Sequence, residues 1–399
     1  MSNKVPQIRF NGYSDDWEER KFGELLKEFS IKSKIEDEYN VLSSTNSGME
    51  FREGRVSGTS NLGYKIIKDG DLVLSPQNLW LGNININNIG KGLVSPSYKT
   101  FEFRNIDSSF INPQLRTQKM LEEYKNSSTQ GASVVRRNLE IDSFYQIKIF
   151  VPTITEQEKI GSFFKKLDNT IVLHQRKLDL LKEQKKGYLQ KMFPKNGAKV
   201  PELRFAGFAD DWEERKLKDV LDISKTKNKA QQYGKVDVLS VSREVGTVNQ
   251  IKYQGRSFAG SDLSNYKVVQ GGELIYTKSP LKGAPYGIFQ VATIKGILSP
   301  LYAVYTSTDK AYTPFVAMAL KNDNIATHYL TPLVTKGAKN TINVTDEGAL
   351  EGKIQFPSIL EQKQIFIFFK QLDDTIALHQ RKLDSLKEQK KGFLQKMFV

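Results

Sequence analysis

The segment FFKKLDNTIVLHQRKLDLLKEQKKGYLQKMF at residues 163–193 returns as FFKQLDDTIALHQRKLDSLKEQKKGFLQKMF at residues 368–398, with 26 of 31 positions identical. A second pair of segments, which we call the leading segments, reads VPQIRFNGYSDDWEERK at 5–21 and VPELRFAGFADDWEERK at 200–216, with 12 of 17 positions identical. Identity over such lengths indicates an internal duplication. The two halves of the chain are therefore expected to have the same architecture.

The two stretches between the matched segments have diverged, and they hold 129 residues (22–150) and 139 residues (217–355). Short echoes remain, because YKIIKDGDL, which begins at Tyr64, corresponds to YKVVQGGEL, which begins at Tyr266. We therefore expect the two variable stretches to share one mixed α and β fold while their surface residues differ.

Local signals place some elements inside the variable stretches. Two β-rich runs bounded by turn residues, DLVLS from Asp71 and ELIYT from Glu273, predict strands. Asn112-Pro113 and Thr313-Pro314 each predict the start of a helix, with an N-cap residue followed by proline at the first helical position.

A heptad pattern runs through the near-identical segments, with spacings of four and three that alternate from Ile160 to Met192 and from Ile365 to Met397. This pattern predicts two long helices that pack against each other along their length. The central seam residues are predicted to be Leu167, Ile171, His174, Leu178 and Leu181 in the first copy and Leu372, Ile376, His379, Leu383 and Leu386 in the second. Capping boxes from Thr153 to Glu156 and from Ser358 to Glu361 predict the two helix starts.

His174 and His379 lie near the middle of the two predicted helices, so they meet in either a parallel or an antiparallel pair. Antiparallel pairing is preferred because it would place the variable stretches at opposite ends of the helix pair. Two histidines alone make a poor metal site, so a polar pair that sets the register is favoured over metal binding or pH sensing. Inside the same helices, Gly187 and Gly392 indicate either close contact with a partner or fraying near the helix end.

The predicted fold class is α+β, with two similar mixed α/β globular domains, an antiparallel coiled coil and a pseudo-two-fold internal repeat. The expected boundaries are 1–150 for the first globular domain, 151–193 for the first helix, 194–199 for a linker, 200–355 for the second globular domain and 356–399 for the second helix.

Composition narrows the function. The chain has 399 residues and a net charge of +14, which favours nucleic acid or another anionic surface as partner. The charge is uneven, since the sequence gives +1 for residues 22–150 and +6 for residues 217–355. The absence of cysteine excludes disulfides, thiolate zinc sites and cysteine nucleophiles. No signal peptide or run of 18 apolar residues is found, so we expect a cytoplasmic protein with no membrane partner.

Polar loops with local cations are the candidate nucleic-acid contacts. Lys91 and Tyr98 occupy the same places in KGLVSPSY as Lys295 and Tyr302 in KGILSPLY, and these tyrosines suit either core packing or base stacking. The predicted DNA-binding residues are Arg52, Arg55, Lys91, Tyr98, Arg136 and Arg137 in the first stretch and Lys295, Tyr302, Lys336, Lys339 and Asn340 in the second.

Catalytic motifs are missing from the sequence. The glycine-rich run GNININNIGKG at 82–92 does not have Walker A spacing, and no G-x-G-x-x-G, G-x-S-x-G or metal-ligand cluster is found. We therefore expect no catalytic residue, no metal site and no cofactor bound by this chain.

The DDWEERK ends of the leading segments, the LHQRKLD…LKEQKKG…LQKMF helices and the two dissimilar middles together resemble the specificity subunit of type I restriction–modification enzymes, over the whole chain. The resemblance implies that each variable domain is a target recognition domain that reads one half of a bipartite, asymmetric DNA site. It also implies that the coiled coil sets the spacer and docks two copies of a modification (methyltransferase) subunit. Restriction (motor–nuclease) subunits would join this complex, and the partner subunits would use S-adenosylmethionine, ATP and Mg²⁺.

Two other classes of function stay open on the residues alone. One is a protein–protein adaptor with two variable binding domains on a coiled-coil rod, for which affinity would depend less on salt than for phosphate contacts. The other is a self-sufficient nuclease or methyltransferase, which turnover by the lone chain would reveal.

Overall fold

The structure is a computed structural model that describes residues 4–52, 60–130, 137–195, 198–281, 284–321, 323–336 and 342–399, except the side chains of 323, 324 and 336. The chain divides into two compact units. Unit 1 comprises Met1–Lys177 and His379–Val399, and unit 2 comprises Leu178–Leu378. Each long helix therefore contributes one part to each unit. The predicted domain boundaries stay a prediction.

Unit 1 is built from short strands and helices that lead into the first long helix. In chain order these are β1 (Glu18–Lys21), α1 (Phe22–Leu25), β2 (Leu26–Phe29), β3 (Leu42–Ser44), β4 (Met49–Phe51), β5 (Lys65–Ile67), β6 (Leu72–Leu74), β7 (Ile84–Ile86), β8 (Gly92–Val94), β9 (Lys99–Phe103), α2 (Ser108–Ile111), α3 (Gln118–Asn126), β10 (Ser128–Gln130), β11 (Arg137–Leu139), α4 (Ile141–Tyr145), β12 (Lys148–Val151) and α5 (Ile154–Lys191).

Unit 2 repeats this arrangement. Its elements are β13 (Glu213–Lys216), β14 (Leu221–Ile223), β15 (Leu239–Ser242), β16 (Gly246–Asn249), α6 (Gln250–Gln254), β17 (Lys267–Val269), β18 (Leu274–Thr277), β19 (Phe289–Val291), β20 (Gly296–Leu298), β21 (Tyr302–Ser307), α7 (Thr313–Ala319), α8 (Asp323–Leu330), β22 (Thr335–Lys336), β23 (Ile342–Asn343), β24 (Lys353–Phe356) and α9 (Ile359–Lys396).

The sheets of the two units have the same topology. A four-stranded antiparallel sheet has the order β2-β9-β6-β7 in unit 1 and β14-β21-β18-β19 in unit 2. Two-stranded ladders also correspond, since β1 pairs with β12 as β13 pairs with β24, and β5 pairs with β8 as β17 pairs with β20. The prediction that the diverged stretches share one fold is therefore confirmed.

Each unit has its own core behind its four-stranded sheet. Trp17 in unit 1 and Trp212 in unit 2 are buried at matching positions of the leading segments. Their rings pack edge-on against Phe110 and Phe315, with centroids 5.7 and 5.9 Å apart. The two DDW sequences thus lie where they anchor the start of each half to its core.

Local predictions inside the variable stretches are confirmed in three of four cases. Strands β6 and β18 lie within the predicted β-rich runs, and α7 begins at Thr313, although its N-cap residue is Tyr312 and not the predicted Thr313. The helix predicted to start at Asn112 is wrong, because Asn112 ends α2 instead. Asp107 caps that helix, since its carboxylate accepts hydrogen bonds from the backbone N–H groups of Ser109 and Phe110.

Helices α5 and α9 are 38 residues long each, which at 1.5 Å per residue is about 57 Å. Within unit 1 they pair antiparallel: Phe163 lies 5.0 Å from Phe393 between ring centroids, and His174 lies 5.6 Å from His379. Within unit 2 the direction is the same, because Tyr188 lies 5.2 Å from Phe368 and Lys185 pairs with Asp373. Antiparallel pairing is therefore confirmed in both units.

The predicted seam residues differ in how deeply they are buried between the two helices. Leu178, Leu181, Leu383 and Leu386 are buried, whereas Leu167, Ile171, His174, Leu372, Ile376 and His379 are half-buried. The histidine pair lies among the half-buried positions, where a polar group keeps partial contact with water.

In the described part of the chain no helix is long and apolar enough to cross a bilayer.

The starts of α5 and α9 are held by buried ion pairs. Glu156 accepts two hydrogen bonds from Arg9, at 2.7 and 2.8 Å, and Glu361 accepts two from Arg204, both at 2.8 Å. Both carboxylates are fully buried. The carboxylate half of both predicted capping boxes is wrong, because Glu156 and Glu361 bind the leading segments of their own units. The other half is confirmed at α9, where the hydroxyl of Ser358 accepts a hydrogen bond from the backbone N–H of Glu361 at 3.3 Å.

The glutamine after each of these glutamates binds the variable stretch. Gln157 accepts a hydrogen bond from the backbone N–H of Asp107 at 2.8 Å, and Gln362 accepts one from that of Tyr312 at 2.9 Å. The Glu-Gln pair at each helix start therefore fastens both the leading segment and the globular part of one unit to the long helix.

Candidate nucleic-acid interface

Lys91 and Lys295 lie on tyrosine rings at equivalent places in the two units. The Nζ atom of Lys91 is 4.2 Å from the ring centroid of Tyr39 and donates a hydrogen bond to its hydroxyl at 2.6 Å. The Nζ atom of Lys295 is 5.5 Å from the ring centroid of Tyr233. Both lysines are exposed, so each ammonium group is oriented by a ring and still has donors that face solvent. This arrangement suits contact with a phosphate.

Tyr98 and Tyr302 are half-buried, and each packs against a hydrophobic core of its own unit. The hydroxyl of Tyr98 donates to the carbonyl of Ser44 at 3.2 Å, and its ring packs on the core around Leu42. Burial raises the pKa of Tyr302, whose ring packs on the corresponding core around Leu239. Their placement favours core packing over base stacking, which was the other alternative from the sequence.

Arg137 holds protein backbone. Its Nε donates to the hydroxyl of Ser128 at 2.8 Å, and its Nη2 donates to the carbonyls of Ser128 at 2.8 Å and Lys125 at 3.3 Å. The guanidinium thereby ties the β10–β11 strand pair to the end of α3. These bonds use donors that a DNA contact would need, and the DNA contact of Arg137 stays a prediction.

The other predicted contacts are placed only in part. Arg52 is half-buried directly after β4, and its backbone N–H donates to the carbonyl of Val41 at 2.9 Å. Lys336 belongs to β22, but its side chain is outside the description. Four predicted residues, Arg55, Arg136, Lys339 and Asn340, lie outside the described residues.

Two lysines in unit 2 share one internal counterion. Asp346 accepts hydrogen bonds from the Nζ atoms of Lys267 at 2.5 Å and Lys278 at 2.6 Å. Burial would raise the pKa of Asp346, but the two ammonium groups outweigh it and hold the pKa below its usual value. Positive charge in the sequence of this unit is therefore not all available to an anionic partner.

Sequence reasoning missed an open cavity of about 250 Å³ in unit 2. Its lining combines polar and cationic side chains with apolar ones, namely Val238, Leu239, Val241, Gln250, Phe258, Ala259, Tyr266, Thr277, Lys278, Ser279, Leu281, Ser299, Leu301 and Tyr302. Phe258 and Leu301 are 60% and 70% exposed. The only sequence signal for this surface is the short run GRSFAG from Gly255, which separates an arginine and a phenylalanine by one residue.

The outward faces of the long helices carry apolar residues away from the seam. Leu173 and Leu180 on α5 are 63% and 51% exposed, and Leu378 on α9 is 61% exposed. At Gly187 and Gly392, a Cβ atom would meet nothing within 4 Å in the described chain. In the same described residues, no cluster of three or more His, Cys, Asp or Glu side chains could hold a metal ion.

Comparison with known proteins gives matches over most of the chain. The family model of the type I restriction modification DNA specificity domain matches twice, over residues 14–183 and 209–388. The type I restriction enzyme MjaVIII specificity subunit of Methanocaldococcus jannaschii is 24% identical over 410 residues, which cover 95% of this chain and 91% of that protein.

Two solved structures are similar along nearly their whole lengths. The crystal structure of a type I restriction-modification system S subunit from M. genitalium covers 99% of both chains, with a TM-score of 0.58 and 14% identity. The crystal structure of an HsdS subunit from Thermoanaerobacter tengcongensis covers 97% of this chain and 98% of that one, with a TM-score of 0.46 and 16% identity. The two family matches together span far more than half of the chain, which therefore belongs to the family of type I restriction–modification DNA specificity subunits.

Proposed function

We propose that each unit binds one half of a bipartite, asymmetric DNA site, and that the paired helices set the unread spacer between the halves. One observation carries the proposal: the two units repeat one sheet topology while their variable side chains have diverged. A repeated fold with different surfaces suits recognition of two different sequences. Two identical surfaces would instead favour a palindromic site.

We propose further that the helices and leading segments dock two copies of a modification subunit. They are near-identical in sequence, so each half offers the same surface to one kind of partner. Leu173 and its counterpart Leu378 are exposed and supply apolar area for such a contact in both copies. The partners would be an adenine methyltransferase that uses S-adenosylmethionine and a restriction motor–nuclease that uses ATP and Mg²⁺. This chain itself would bind none of these cofactors and catalyse no step.

The test is co-expression of this chain with its modification subunit, followed by genome-wide mapping of methylated adenines. The expected result is one split motif with a fixed spacer, which appears only when this chain is present. Methylation without the chain, or at an unsplit motif, would contradict the proposal.

A domain exchange tests which unit binds which half. Replacing residues 22–150 by the corresponding stretch of another specificity subunit should change one half of the motif and leave the other half intact. Replacing residues 217–355 is the matched control and should change only the opposite half. A change of both halves in either chimera would refute the assignment of one half-site to each unit.

Salt dependence separates this function from that of a protein–protein adaptor. The logarithm of the DNA-binding constant of the assembled complex should fall linearly with the logarithm of the salt concentration, since bound phosphates release counterions. An affinity for DNA that is weak and insensitive to salt would favour the adaptor.

A further inference from the structure

A loop in unit 2 presents an arginine that lies over the ring of an exposed phenylalanine. The guanidinium carbon of Arg256 lies 4.7 Å from the ring centroid of Phe258, whose side chain is 60% exposed. A guanidinium held over an aromatic ring keeps N–H donors that do not contact the ring and can bind a ligand. Arg256 is itself exposed, and no ion pair to it is found within the described ranges. Its donors therefore face solvent beside the ring of Phe258.

The side chain of Gln250 ties the loop that contains Arg256 and Phe258 to a strand. The Oε1 atom of Gln250 accepts hydrogen bonds from the backbone N–H of Phe258 at 2.7 Å and from the hydroxyl of Ser257 at 3.2 Å. Its Nε2 atom donates to the hydroxyl of Ser240 on β15 at 3.1 Å. Because the loop is tied to a strand, less conformational entropy is lost when Arg256 binds a ligand, and such preorganisation is what a specific contact requires.

The surroundings of the loop suit a nucleic-acid base edge. Phe258 borders the cavity of about 250 Å³, together with the exposed Leu301, the ring of Tyr302 and Lys278, whose ammonium group is paired with Asp346. An arginine edge beside apolar surface matches the major groove, where guanine offers the two acceptors O6 and N7 and thymine offers a methyl group. The bidentate arginine–guanine pair is the commonest specific contact in protein–DNA complexes.

We infer that Arg256 recognises a guanine in the half-site bound by unit 2, with two hydrogen bonds to its O6 and N7 atoms. Phe258 and Gln250 are positioning residues for this contact. The inference rests on the proposed function, which it deepens by naming the base and the residue that selects it.

The test uses the complex of this chain with its modification subunit. Arg256→Lys keeps the charge but loses the planar pair of guanidinium donors. Arg256→Gln loses the charge as well as the guanidinium. Lys252→Gln is the control, since it removes one exposed charge from the neighbouring α6. Methylated motifs are mapped genome-wide. Binding is measured on DNA duplexes with each of the four bases at every position of the half-site, over a range of salt.

The expected result is that Arg256→Lys relaxes the requirement for guanine at one position of one half, with discrimination lowered roughly 10- to 100-fold. The salt dependence of Arg256→Lys should match that of the unmodified complex. Phe258→Ala should weaken discrimination at the same position, and Lys252→Gln should leave the motif unchanged. Thermal unfolding of each variant is the control for whether unit 2 stays folded.

Two outcomes would overturn the inference at different levels. If Arg256→Lys keeps the motif, while Arg256→Gln lowers affinity equally for all four bases and reduces the salt slope by about one, the arginine contacts a phosphate. The proposed function would then survive. If the unmodified complex itself gives an unsplit motif, the proposed function fails, and the inference fails with it.

Discussion

Replacement of Glu156 by glutamine would test the ion pair that fastens the first leading segment to α5. The carboxylate is fully buried and accepts two hydrogen bonds from Arg9, whose side chain is 10% exposed. Glutamine keeps the size of the side chain but has one acceptor and no charge, so the guanidinium would stay buried without a counterion. Breaking a buried pair in this way costs about 3–5 kcal/mol. We expect the lower end, about 3 kcal/mol, because one acceptor remains.

The assay is hydrogen exchange followed by mass spectrometry on the intact chain. The backbone N–H of Ile8 donates to the carbonyl of Lys396, and that of Trp17 donates to the carbonyl of Lys4, so both amides report opening of the leading segment. A loss of about 3 kcal/mol in the opening free energy corresponds to roughly 100-fold faster exchange at these amides.

Glu361→Gln is the matched control, because it breaks the equivalent pair with Arg204 in unit 2. It should accelerate exchange in the second leading segment and leave Ile8 unchanged. A rise of less than about fivefold at Ile8 in Glu156→Gln would mean that the pair contributes no more than an exposed ion pair, which would refute the reasoning.

Three further perturbations have defined outcomes. Asp346→Asn removes the shared acceptor of Lys267 and Lys278 and should cost unit 2 about 2 kcal/mol at pH 7. The pKa of Asp346 is lowered in the folded state, so the stability that its carboxylate contributes is complete above the unfolded pKa near 4 and is lost as pH falls through the folded pKa. Urea unfolding between pH 7 and pH 2 would measure this loss. Gly161→Ala would overlap α2 and should cost about 1–3 kcal/mol, whereas Gly187→Ala meets open space and should gain about 1 kcal/mol; similar melting temperatures would contradict this. One heptad inserted into both α5 and α9 lengthens the pair by about 10 Å, so the spacer of the methylated motif should grow by about 3 base pairs, and an unchanged spacer would exclude the helices as a ruler.

The local elements were predictable where one short segment contains the whole signal. The heptads of α5 and α9 predicted two long helices because spacings of four and three place apolar residues on one helix face, whatever the rest of the chain does. The β-rich runs predicted β6 and β18 for the same reason. At Asn112 the local signal failed: an earlier N-cap, Asp107, starts α2 instead, and Phe110 and Ile111 bury that helix in the core.

By itself, the sequence determined the duplication, the two long helices, the shared fold of the diverged stretches and the resemblance to a specificity subunit, because repeats and periodicity are written along the chain. Only the tertiary structure decided the antiparallel direction within each unit and the pairing of Arg9 with Glu156, which are 147 residues apart. It also separated Arg137, whose donors hold backbone, from Arg256, whose donors face solvent. Charge and residue type are the same for both arginines. What distinguishes them is which groups the fold brings within hydrogen-bond distance, and that depends on residues far away in the sequence.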